Sequence, residues 1–316
     1  MINYIILVHK NPLQLIRLIN TLSDNQVNFY IHVDKLVDSR PFLEATINIK
    51  NVHFIIDKKR EEGIWCGIGL IKATINTLNQ IVKDGRKGYC ILLSGQDYPI
   101  KDNNNIKAFL SKNYGINFIE TFNLPTDNWF HNGMDRINNY KFNLSNKRSH
   151  FIIIPTIFQL EFYSLKTFKS ILKLIINNKF LFIYNVFKKR KHPDNISPKG
   201  GSAWWGLSIE TVKNVIIFLE KNPEFLTYHK YTFNPDEIFF QTIVSHLNEK
   251  TPELMANSLT FVDWEREDSI GAPNLRIEDF NKIINQPENI LFARKFEYEN
   301  DSKILSKLDS HLTITK

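Results

Sequence analysis

Asn3-Tyr4-Ile5-Ile6-Leu7-Val8-His9 is the stretch from which the fold of this chain is read. A continuous apolar run closed by polar residues and Pro12 is the pattern of a parallel strand buried on both faces and followed by a turn. Leu13, Ile16, Leu18, Ile19 and Leu22 then recur at near-helical spacing. Phe29-Tyr30-Ile31-His32-Val33-Asp34-Lys35 supplies the next strand and completes a strand-helix-strand unit. Ligands of such a unit gather beyond the C-terminal ends of its strands, where His9 and Asp34 fall.

The alternation continues. Val52-His53-Phe54-Ile55-Ile56 predicts a third strand, the periodicity from Leu70 to Val82 a helix, and Tyr89-Cys90-Ile91-Leu92-Leu93 a fourth strand that ends on Ser94-Gly95-Gln96-Asp97-Tyr98-Pro99-Ile100. This is the order of an open α/β sheet. No Gly-x-Gly-x-x-Gly follows the first strand and no Walker-type Gly-Lys-Ser/Thr is present, so neither a dinucleotide fold nor a P-loop ATPase is indicated. Phe109, Leu110 and Phe118-Ile119-Glu120 predict a further helix and strand, and the chain then loosens into Asn-rich loops through about Asn146.

At 316 residues, 43% of them hydrophobic and 13% aromatic, the chain can bury a substantial core. Cys66 and Cys90 both stand in apolar surroundings, which predicts core positions and a reducing compartment. Met1 opens on a strand with no basic leader, and no window is long and apolar enough for a membrane span. The net charge of +7 favours an anionic partner.

That charge is concentrated. Between Lys141 and Asp194 eleven cations, among them Arg148, Lys166, Lys173 and Lys188-Lys189-Arg190-Lys191, face only Glu161 and Asp194, and aromatic and aliphatic residues are interleaved with them. Two readings are open: an element that docks on an anionic membrane surface, or helices packed on the sheet with solvated lysines.

Three later motifs carry chemistry. Gly200-Gly201-Ser202-Ala203-Trp204-Trp205-Gly206 joins backbone freedom to two flat rings, which suits the wall of a sugar pocket, or else a strand whose tryptophans alternate between core and surface. Asn234-Pro235-Asp236-Glu237 starts a helix that carries Phe239-Phe240, and helix initiation alone explains its acids. Leu291-Phe292-Ala293-Arg294-Lys295-Phe296-Glu297 sets two adjacent cations in an apolar frame, either to meet a phosphorylated ligand or simply to face water.

These motifs, with Ile31-His32-Val33-Asp34-Lys35, Ile64-Trp65-Cys66-Gly67 and Leu93-Ser94-Gly95-Gln96-Asp97-Tyr98-Pro99-Ile100, occur in an order that resembles the core-2/I-branching glycosyltransferases and peptide xylosyltransferases of glycosyltransferase family 14. The resemblance covers roughly residues 2–140 and 198–312. It implies a GT-A-like fold with a Rossmann-like, mostly parallel sheet, and an inverting transferase that uses a UDP-sugar without a metal or other cofactor. No Asp-x-Asp triplet occurs in the chain. The resemblance gives the neutralisation of the leaving diphosphate to Arg294 and Lys295 and the role of base to Glu237. It also implies UDP contacts for Asp34, with His9 and Trp65, and donor-sugar or acceptor contacts for Asp97, Ser202, Trp204 and Trp205.

The secreted members of that family carry a membrane anchor, a stem and many disulfides, unlike this chain. A cytoplasmic enzyme is therefore expected, peripheral at the inner face of the membrane. It is expected to form one catalytic domain over 1–316, with a nucleotide-binding half (1–125), a basic aromatic-rich insertion (141–197) and a donor-sugar half (198–316). The expected activity is β-linked transfer of N-acetylglucosamine from its UDP donor to a hydroxyl of a cell-surface glycan or lipid-linked acceptor, with UDP-xylose as the rival donor. Nucleic acid is not among the expected partners. A non-catalytic polyanion-binding protein would explain the basic segment and leave the six ordered motifs unexplained.

Overall fold

The computed structural model describes residues 1–193, 196–266 and 271–314; Asp194, the end of the basic segment, lies outside the described residues. Its strands are β1 (Ile2–Val8), β2 (Val27–Val33), β3 (Val52–Ile55), β4 (Tyr89–Ser94), β5 (Asp97–Pro99), β6 (Asn117–Ile119) and β7 (Phe122–Asn123). There follow β8 (Tyr140–Asn143), β9 (Phe151–Ile154), β10 (Lys199–Gly200), β11 (Trp205–Ser208), β12 (Met255–Ala256), β13 (Thr260–Val262) and β14 (Phe292–Arg294).

Seven of these form the central sheet in the order β12-β6-β11-β4-β1-β2-β3. β4, β1, β2 and β3 run parallel, and β11 is antiparallel to β4 and β6. This is the mostly parallel α/β architecture that the sequence predicts. Every residue of β1 and β2 is buried. Side-chain alternation sends Ile2, Tyr4, Ile6 and Val8 into one apolar layer and Ile5 and Leu7 into the other. Asn3 is tolerated inside because its amide donates to the carbonyls of Lys87 and Tyr89, both at 3.1 Å.

β2 starts two residues before the expected position and stops at Val33, which leaves Asp34 and Lys35 in the turn. Asp34 N donates to Val8 O at 2.8 Å and Gly95 N to Leu7 O at 3.0 Å, so the C-terminal ends of β1, β2 and β4 are stitched together. A second sheet, β13-β14-β5, is joined to the C-terminal end of β4 by the short turn that leads into β5. Its register sets Arg294 opposite Asp97 on one side and Val262 on the other.

The Asn-rich region is more ordered than its composition suggests. A helix spans Met134–Asn138 and β8 follows it, because Ile137, Tyr140 and Phe142 are buried anchors among the polar residues. The β8–β9 hairpin, the Leu165–Ile176 helix and the short Ile183–Val186 helix share a small core built on Phe142, Ile152, Ile154, Leu174 and Val186.

The basic segment is also less uniform than its charge count. Lys141 is 4% exposed and Arg190 8% exposed. Arg190 donates to the carbonyls of Tyr228 (2.9 Å), Arg136, Asn139 and Tyr231 and to the Thr232 hydroxyl (2.8 Å), and so ties this module to the rest of the chain.

Candidate active site

Arg294 is held by two neighbours. Its Nε lies 3.4 Å from Asp97 Oδ1, and its guanidinium carbon lies 3.9 Å from the centroid of Trp204. Asp97 has no solvent exposure, and its second oxygen accepts from Ser94 N at 2.6 Å and from the Ser94 hydroxyl. Burial raises the Asp97 carboxyl, opposed by the Arg294 charge. Burial lowers Arg294, opposed by Asp97, Asp236 and Glu237. Asp97, expected beside the donor sugar or acceptor, is thus placed as the counter-charge that keeps Arg294 ionised in a crowded position.

The two tryptophans separate, as successive residues entering a strand must. Trp204 is half-buried and meets Arg294. Trp205 is 2% exposed and packs on Phe240 with ring centroids 5.3 Å apart. The expectation that Trp205 touches donor or acceptor is corrected: its ring belongs to the core. Ser202 shapes the loop before them, with its N–H on Glu120 Oε2 at 2.8 Å and its carbonyl accepting from Gln241 Nε2 at 2.5 Å.

Glu237 reaches the same region from the turn before the Phe239–Leu247 helix. Its Oε2 accepts from Arg136 Nη1, and the Arg136 guanidinium lies 3.6 Å from the Trp129 centroid. The Glu237 carbonyl accepts from Gly201 N at 3.0 Å. Other close contacts explain the paired glycines: a Cβ at Gly201 would collide with the Glu120 carbonyl, and one at Gly200 with the Phe122 and Trp129 rings. Loss of solvation, then the Glu237 charge, push the neighbouring Asp236 carboxyl up to about 7, while Arg136 and Arg294 oppose the shift.

A row of cations continues towards the ends of β1 and β2. The half-buried Lys295 is lowered by burial first, then by Arg148, Arg294 and Lys10, with Glu297 opposing. His9 is lowered by desolvation, then by Lys10, with Asp34 and Glu297 opposing and Arg148 adding to the fall. Arg148 therefore lies in electrostatic range of both, although it belongs to the hairpin turn of the basic segment. Its guanidinium stands 5.1 Å from the centroid of Trp65. The base of that hairpin is pinned by Lys141, whose Nζ donates to Cys66 O at 3.0 Å and whose ammonium burial lowers to about 8.

Asp34 sits where these elements meet. Its Oδ1 accepts from Leu36 N at 2.9 Å and its Oδ2 from Gly63 N at 3.1 Å, and each oxygen keeps lone-pair capacity for a ligand hydroxyl. Next to it, His32 Nε2 accepts from Glu61 N at 2.8 Å, and burial holds its imidazole near 4 and neutral. Glu297 closes the frame by accepting from Lys10 (2.5 Å), Asn11 (2.9 Å) and Gln96 (2.8 Å). A narrow crevice lined by His9, Lys10, Asn11, Ser94 and Gln96 opens there. A cavity of about 580 Å³ lined by Ile16, Arg17, Thr21, Asp102 and Asp309 contains none of these groups.

Of the residues expected from sequence, Asp34, His9, Trp65, Lys295, Arg294, Asp97, Trp204 and Glu237 are thus linked by direct contacts or by electrostatic range through Arg148, Asp236 and Arg136. Ser202 supports the loop and Trp205 is withdrawn. Arg136, Arg148 and Glu297 were not singled out as site residues. Arg136 sits in an Asn-rich stretch and Arg148 in a crowd of cations, so neither carried a local signal. Glu297 did, as the acid that closes the Arg294-Lys295 motif. Among the described residues no group of three or more His, Cys, Asp or Glu could hold a metal ion. The arrangement can bind a polyanion along its row of cations and set one carboxylate, Glu237, beside it as a proton acceptor.

Comparison with known proteins gives this geometry a context. The sequence model of the family described as Core-2/I-Branching enzyme matches residues 2–284. Xylosyltransferase 2 of Homo sapiens is 26% identical over 333 aligned positions, which cover 98% of this chain and 33% of that protein. Xylosyltransferase 1 of Homo sapiens is 24% identical, covering 98% and 30% respectively. The chain therefore spans about a third of the length of these curated relatives. A solved structure of mouse xyloside xylosyltransferase 1, apo form, aligns over 93% of this chain at 10% identity with a TM-score of 0.38, too low to carry an argument.

Proposed function

The chain belongs to the Core-2/I-Branching enzyme family, and from that premise we propose that it is an inverting glycosyltransferase that moves a sugar from a UDP donor to a glycan hydroxyl without a metal ion. One observation carries the reading: Arg294, clamped between Asp97 and Trp204, lies within the electrostatic range of Glu237. A cation for the leaving group and a carboxylate for the nucleophile thus act on one another in the same region.

In this mechanism Glu237 takes the proton of the acceptor hydroxyl as that oxygen attacks the anomeric carbon. The bond from that carbon to the diphosphate oxygen breaks, and the electron pair leaves with UDP. Arg294 and Lys295 neutralise the charge that grows on the diphosphate, the service a divalent ion gives in other transferases. Arg136 holds the Glu237 carboxylate in place through their ion pair. Asp34 receives a hydroxyl of the nucleoside, Trp65 lines that end, and Arg148 and His9 lie along the phosphates.

UDP-xylose is the donor favoured here, because both named relatives are xylosyltransferases over nearly the whole chain. UDP-N-acetylglucosamine, placed first on the sequence alone, is the second reading and is favoured by the Core-2/I-Branching description of the family. Release of UDP from each donor, with and without candidate glycan acceptors, tests both. Turnover of neither donor under any acceptor would remove the proposal.

A further inference from the structure

The Leu165–Ile176 helix buries Thr167 and Leu174 and exposes Leu165, Phe168, Leu172, Ile175 and Ile176. On a helix that turns about 100° per residue, these five fall within one arc of roughly 100°. Lys166, Lys169 and Lys173, also exposed, fall in the neighbouring arc of roughly 60°. The next segment packs against this helix and adds Phe180, Leu181, Tyr184 and Phe187, each more than half exposed. Single apolar residues on a surface are ordinary, whereas a stripe this continuous calls for a partner.

The charges beside the stripe identify that partner. A purely apolar face suits another protein. A face flanked by lysines on one side, with Glu161 the one acid from 160 to 189, suits acyl chains below and phosphate headgroups beside them, because lysine stems lie along apolar surface while their ammonium groups reach the headgroups. No helix among the described residues is long and apolar enough to cross a membrane. We infer that this element docks flat on a bilayer rich in anionic lipid, with its apolar stripe at the headgroup and acyl boundary and its lysines on the phosphates.

Docking also orients the enzyme. The small core that fixes the helix also fixes the β8–β9 hairpin, whose Lys141 and Arg148 reach the Trp65 loop. A docked protein would carry its candidate site on a rigid attachment to the membrane element, in reach of an acceptor borne on a lipid. The docking itself does not rest on the transferase reading, since vesicle binding requires no turnover.

The test is co-sedimentation of the full chain with phosphatidylcholine vesicles that contain or lack phosphatidylglycerol. Binding to the anionic vesicles is expected, falling about tenfold or more in Leu165→Ser/Phe168→Ser and in Lys166→Gln/Lys169→Gln/Lys173→Gln. Thermal melting of both variants should match wild type, because every substituted side chain is exposed. No binding to anionic vesicles overturns the inference, as does binding that neither variant weakens. A concentration-dependent dimer, lost in the Leu165→Ser/Phe168→Ser variant and formed without vesicle binding, would assign the face to a second copy of the chain instead.

Discussion

The Arg294 guanidinium lies 3.9 Å from the centroid of Trp204, with the buried Asp97 carboxylate 3.4 Å from its Nε. The β14-β5 register places Asp97 opposite Arg294, so the clamp follows from strand pairing. An arginine fixed in this way can meet a diphosphate with little loss of side-chain freedom, which is what a substitute for a metal ion requires.

Asp97→Asn leaves Arg294 crowded and without its counter-charge. Breaking such a pair is expected to cost about 3 kcal/mol of stability, read by urea unfolding, and to weaken UDP binding through a misplaced guanidinium. A neutral effect on both would show that the pair does not organise the site.

Glu237→Gln is expected to lower transfer by about 10²- to 10⁴-fold while UDP-sugar affinity stays near wild type. Arg136→Met should fall between the two and act on kcat, since Arg136 positions Glu237 and lies on no proposed phosphate. A change confined to KM would place Arg136 on the donor.

Arg148 is exposed and reaches the row of cations from the turn of the β8–β9 hairpin. Arg148→Ala is expected to weaken UDP binding about tenfold, with a smaller salt dependence than wild type and unchanged thermal melting. Calorimetric titration with UDP and with uridine separates the cases: the loss should appear with UDP and be absent with uridine.

The pH dependence of stability should carry the mark of Asp236, whose carboxyl rises from 3.8 to about 7. The folded protein holds this proton more tightly than the unfolded chain. The stabilisation is therefore complete below about pH 3.8, declines as pH rises and is gone above about pH 7. Asp236→Asn stays neutral throughout, so its stability relative to wild type should rise between pH 4 and pH 8. Urea unfolding at the two pH values checks this; an equal difference at both would contradict it.

Much of this architecture was legible in the sequence because it rests on local pattern. The run Asn3–His9 reads as a doubly covered strand because burial on both faces demands apolar residues at successive positions, and the site at its C-terminal end follows from the topology. Arg294-Lys295 was legible because two cations in an apolar frame are unusual. What stayed hidden depends on contacts distant in sequence. Nothing in Lys188-Lys189-Arg190-Lys191 says that Arg190 alone of the first three turns inward, since the carbonyls it meets come from residues 136 to 139 and 228 to 231. Trp204, just before β11, and Trp205, its first residue, are neighbours whose rings part to pocket and core, and Arg136 finds Glu237 across about a hundred residues of chain.

The central claim is that Arg294 and Lys295 do the work of a metal ion. UDP release from the donor sugar, followed in EDTA for wild type and for Arg294→Met/Lys295→Met, tests it most directly. Undiminished wild-type turnover in chelator together with its loss in the double variant is the predicted result. Turnover abolished by EDTA and restored by a divalent cation would contradict it.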